Sequence, residues 1–168
     1  MSKVKSPPTR FRVTTDGPAH ITWRSELLAE LAIMRVDELR LMKPPSGSPA
    51  PPFQLVAASD SGICFIVQIA AYSSFRLKIE PESIPVLELE VEAERVRTAL
   101  RIPTPVVVFL FDGDRDHGRY LRLDTLPEPA SGAKTVVLSF PVENTITGDS
   151  IRAIAEELAR ERRVPVRA

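Results

Sequence analysis

A single cysteine in 168 residues, Cys64, excludes an internal disulfide and leaves no second thiol for a redox pair or a cysteine-built metal site. Because it stands inside an apolar run, a buried thiol in a reducing compartment is expected. Histidine is almost as scarce. His20 and His117 are far apart in the chain, which gives a histidine triad or metal centre little support, and each reads as a surface or capping residue. Charge of one sign is lacking too: 22 basic side chains meet 22 acidic ones, so composition does not point to nucleic acid. No unbroken apolar stretch approaches a membrane span, and the opening MSKVKSPPTRFR has basic residues without an apolar h-region. A cytoplasmic protein with no membrane partner is the expectation.

What is present is the composition of a soluble globular chain, 43% hydrophobic and 26% charged, of a size for one good core. The expected division is a basic flexible tail and first short strand over 1–17, a single domain over 18–163, and a short tail over 164–168. The 16 prolines gather at Pro7 and Pro8, in KPPSGSPAPP over 43–52, and singly beside apolar runs. There they end elements without breaking them, and KPPSGSPAPP reads as an exposed loop between two strands.

Between these breaks the apolar pattern is regular. TWRSELLAELAIM places Trp23, Leu27, Leu31 and Met34 at helical spacing, with Thr22 as N-cap. VDELRLM alternates as a half-exposed strand. FQLVAA, the turn SDSG and ICFIVQIAAY form a hairpin whose second strand, apolar on both faces, belongs at the centre of a sheet. SFRLKI reads as a further short strand. VLELEVEAERVRTALRI suits a surface helix, although Leu87, Leu89 and Val91 also alternate and leave its start open. PVVVFLFD is the clearest buried strand, GRYLRL and KTVVLSF are two more, and GDSIRAIAEELARERR is an amphipathic helix. The order predicts an α/β fold with a mixed central sheet flanked by helices.

The succession of HITWRSELLAELAI, the hairpin FQLVAASDSGICFIVQIAAYSS, a helix, PVVVFLFDGDRDHGRYLRL, KTVVLSFPVENTIT and a last helix resembles bacterial proteins of the domain of unknown function 4365. These are similar to the restriction-endonuclease-like folds of the PD-(D/E)xK nuclease superfamily. The resemblance implies a helix glutamate, an aspartate entering the first hairpin strand, and a Glu/Gln-x-Lys on the second, all converging on magnesium and a water. Carboxylates hold the hard cation, the cation lowers the water's pKa, and the lysine orients the nucleophile. Carried over residue by residue, Glu26 matches the helix acid, Gln54 stands where the aspartate belongs, Gln68 takes the Glu/Gln position, and Ala70 replaces the lysine. Gln68 is within the pattern; Gln54 and Ala70 depart from it.

A neutral amide is a weak ligand for magnesium, and Ala70 has no nitrogen to touch water or phosphate. The resemblance therefore implies a pseudo-nuclease, a hairpin kept for folding with its chemistry lost. Such a domain acts in binding or scaffolding, in bacterial nucleic-acid processing or phage defence, without a cofactor. One alternative is an active magnesium-dependent nuclease with migrated catalytic residues drawn from Asp60, Arg76 or Lys78. Another is a protein-interaction subunit without nucleic-acid contact. Arg160, Arg162, Arg163 and Arg167 are candidate phosphate contacts, although arginines also suit a helix C-terminus. Asp112, Asp114 and Asp116 have the alternation of a calcium loop, but the glycine comes one place late at Gly118 and Leu123 stands where a bidentate acid is needed, so DGDRDHG is read as a hairpin turn.

Overall fold

A computed structural model describes residues 9–42 and 55–163, without the side chains of 162 and 163. The first strand, β1 (Arg10–Val13), leads to α1 (Ala19–Met34), which starts behind Pro18 at φ −57° rather than at Thr22. Proline holds that dihedral ready for a helix start and has no N–H to leave unpaired. After α1 come β2 (Leu39–Met42), β3 (Leu55–Ser59) and β4 (Cys64–Tyr72), an antiparallel run in which Leu55 faces Val67 and Ala58 faces Cys64. Cys64, at the start of β4, is half-buried rather than buried. The proline-rich loop, both tails and Gln54 lie outside the described residues.

The segment expected as a strand over SFRLKI is instead α2 (Ser74–Leu77), one helical turn. The Ser73 hydroxyl accepts from Arg76 N at 3.1 Å, and Lys78 closes the turn in the left-handed region at φ 53°. A serine cap at one end and a left-handed residue at the other outweigh the local alternation. The next segment, expected as a helix, divides into β5 (Val86–Glu92) and α3 (Ala93–Arg101). In β5 the alternating Leu87 and Leu89 are buried, so period two prevails as far as Glu92. Then follow β6 (Val106–Asp112), β7 (His117–Arg122), β8 (Thr135–Pro141) and α4 (Gly148–Arg163).

The strands form two mixed sheets. The larger runs β2-β3-β4-β6-β7, with β4 and β6 parallel and every other pair antiparallel. The smaller runs β1-β5-β8, with β1 parallel to β5 and β8 antiparallel to it. On one face of the larger sheet, Phe65, Val67, Val107 and Phe109 pack with Ala29 and Ile33 of α1 and with Ile151, Ile154 and Leu158 of α4. On the other, Ile66, Tyr72, Val108 and Leu110 pack with Leu87, Leu89, Leu138 and Phe140 of the smaller sheet and with Val96 and Ala99 of α3. All seven residues of β6 are buried, as its unbroken apolar run requires. The α/β layout, with its mixed sheet covered on both faces, is therefore the observed one; the smaller sheet, which forms one cover, is the part the sequence reading lacked.

Helix α1 corrects the reading in a second way. Its inward residues are Ile21, Ser25, Ala29, Ala32 and Ile33, whereas Trp23, Leu27, Leu31 and Met34 are exposed. Both sets have helical spacing. The small side chains of the first let the helix backbone lie close to the sheet, and spacing alone does not choose between two apolar stripes.

Candidate functional site

On β4, Gln68 and Ala70 follow Ile66 at intervals of two, so their side chains leave the strand towards the smaller sheet. Glu26 rides on α1, which covers the opposite face, and is half-buried there. The helix and strand positions that the resemblance would bring together thus start from different sides of the sheet. Gln54 lies outside the described residues.

Beside Ala70 opens a groove of about 340 Å³. Ile69, Ala70 and Ala71 of β4 form one wall, Leu89 to Glu92 of β5 the other, and Arg95 of α3 with Thr15 and Thr22 line the rest. The wall on β5 is open because β1 pairs with that strand only as far as Leu89, leaving Glu90 to Glu92 without a strand neighbour on this side among the described residues. The lining is half apolar and half polar, and its two acidic residues already have basic partners. Glu90 takes a hydrogen bond from Arg12 at 3.1 Å, and Glu92 lies 3.8 Å from Arg95. No group of three or more His, Cys, Asp or Glu among the described residues is placed to hold a metal ion.

The residues named as replacements lie elsewhere. Asp60, in the β3–β4 turn, pairs with Arg40 at 3.1 Å. Arg76 donates to the backbone carbonyl of Asp16, and Lys78 forms the end of α2. The DGDRDHG segment is the β6–β7 turn, as read. Its Asp114 accepts from Ser73 Oγ at 2.5 Å and from Phe75 N at 3.1 Å, and its Asp116 accepts from Arg24 at 2.7 Å. In α4, Arg160 is exposed and directs its Nε to the carbonyl of Glu156 at 3.4 Å. Arg162 and Arg163 belong to the same helix, with side chains outside the description, and Arg167 lies beyond it.

A second polar constellation was not legible in the sequence. Tyr72, Asp112 and His117 are lateral neighbours on β4, β6 and β7, and Arg119 follows His117 on the same face. Tyr72, Asp112 and Arg119 are almost wholly buried. Asp112 Oδ1 accepts from the backbone N–H groups of Ser74 at 3.2 Å and Asp114 at 3.1 Å, which ties the β4 end to the β6–β7 turn. Burial, joined by the Asp112 charge, pushes the Tyr72 hydroxyl well above its ordinary pKa, and burial holds His117 below the usual imidazole value. Strand alternation marks which residues share a face, but only the register of three strands reveals that these form a row.

The fold and groove together define an α/β protein with two mixed sheets flanked by helices and a cleft between β4 of one sheet and β5 of the other. No protein-family model and no curated protein matches the chain. Among solved structures, the bacterial homing endonuclease I-Ssp6803I is similar at a TM-score of 0.48 and 12% identity, over 88% of this chain and 100% of that one. A likeness that loose carries no argument about the groove. Among the described residues, no helix is long and apolar enough to cross a membrane.

Proposed function

We propose that this is a restriction-endonuclease-like domain, of the kind found in the domain of unknown function 4365, whose nuclease chemistry is lost and whose role is binding or scaffolding. One observation carries the reading: the side chain of Ala70 ends in a methyl group in the wall of the groove, where the family pattern calls for an ammonium group. A methyl group neither positions a water nor meets a phosphate. The ion pairing of Glu90 and Glu92 supports the same reading, because a magnesium ion would have to compete with Arg12 and Arg95 for them. No cofactor enters this function. Nucleic acid, met through Arg160, Arg162 and Arg163, is one class of partner, and a protein is the other.

The alternative of a working magnesium nuclease draws on the same groove, since its β5 wall includes the acidic residues Glu90 and Glu92, which could serve as relocated ligands. Purified protein incubated with labelled DNA and RNA, with magnesium or manganese, separates the two. The expected result is no cleavage above that of a Glu90→Gln, Glu92→Gln double variant. Cleavage by the wild type that this variant or Glu26→Ala abolishes would overturn the proposal.

A further inference from the structure

Helix α1 is apolar on two sides, and among the described residues the fold buries only one. Trp23, Leu27, Leu31 and Met34 remain 66%, 44%, 46% and 64% exposed. With 3.6 residues per turn they form a continuous strip along the outer side of the helix. A helix apolar all round belongs in an interior. The strip is on the order of 400 Å², in the range where apolar patches on single chains mark interaction sites.

We propose that this strip is the contact between two copies of the chain, related by a two-fold axis along their α1 helices. Three features select a second copy. The strip supplies roughly half of the ~800 Å² per partner that a stable interface takes, and the polar residues beside it supply the remainder. The chain carries 22 basic and 22 acidic groups, so two copies meet without net repulsion. The flanks also differ in sign: Glu26 and Glu30 border the strip on one side and Arg35 on the other, where Arg24 is already paired with Asp116 of its own chain. A two-fold axis parallel to the helices brings the acidic border of each copy to the basic border of its neighbour, while Leu27 meets its own counterpart. This contact does not depend on whether the groove beside Ala70 retains chemistry.

Trp23 is the only tryptophan in the chain, so its fluorescence reports on the strip directly. Light scattering on the full chain should give twice the chain mass, falling to the single mass on dilution while Trp23 emission moves to longer wavelength. Leu27→Glu and, separately, Met34→Glu should give single chains at every concentration with unchanged far-ultraviolet circular dichroism. Both positions are exposed, so the substitutions leave the core untouched. A single chain mass for the wild type at the highest soluble concentration overturns the proposal, as does a dimer that both variants leave intact. A single chain with Trp23 emission already at short wavelength overturns it as well, because the strip is then covered from within.

Discussion

Arg119 is fully buried, and its guanidinium is spent on backbone. Nη2 donates to the carbonyls of Pro81 and Ile84, both at 2.6 Å, and Nη1 to that of Phe140 at 3.0 Å. One side chain on β7 thereby holds the segment before β5 and the end of β8. Burial lowers its pKa from the ordinary value, but guanidinium starts so high that it stays charged at neutral pH. Replacing Arg119 with Met removes charge-assisted donors to three carbonyls, of which that of Pro81 keeps the Ile84 N–H, at about 1.5–3 kcal/mol for each bond lost. We expect the urea midpoint of Arg119→Met to fall by an amount equivalent to about 3 kcal/mol or more, and Arg119→Lys to recover only part of it, because a single ammonium does not span the carbonyls of two segments. A Met variant as stable as the wild type would refute this role.

Helix α2 shows how a short element depends on its cap. Ser73 closes the turn towards Arg76 and at the same time donates to Asp114, which anchors α2 to the β6–β7 turn. Ser73→Ala should cost about 1–2 kcal/mol in chemical unfolding, at the upper end for an N-cap because the second bond is lost with it. At this scale the sequence was only partly readable. The long periodic segments, from PVVVFLFD to the last helix, formed where the pattern placed them. SFRLKI did not, because six residues contain too few repeats for alternation to outweigh a serine cap. β5 did not either, since Glu-rich strands and helices share a composition, and it is pairing to β1 and β8 that decides between them. In α1 the period was right and the buried face was wrong, because Trp23 and Leu27 are larger and more apolar than Ser25 and Ala29. The site suffered a related loss: Gln68 and Ala70 were placed on one face of β4 from spacing alone, while the groove depends on where β1 stops pairing with β5, which no local pattern records.

At the scale of the whole molecule, β6 has neighbours on every side and every residue buried: β4 and β7 lie at its edges, α1 and α4 over one face, the smaller sheet over the other. Native-state amide exchange should therefore be slowest from Val106 to Asp112 and far faster in β1 and β2, which sit at sheet edges. Equal protection in β1 and β6 would contradict this arrangement. The two sheets also set an order in which the chain can be built. The β3–β4 hairpin needs only neighbours in sequence, but Arg10 of β1 meets Glu88 of β5 across 78 residues. During synthesis β1 leaves the ribosome well before its partner β5 and must wait until that strand has emerged. The smaller sheet is thus a late seam, and its closure makes β1 one of the last strands to find its place although it is made long before its partner.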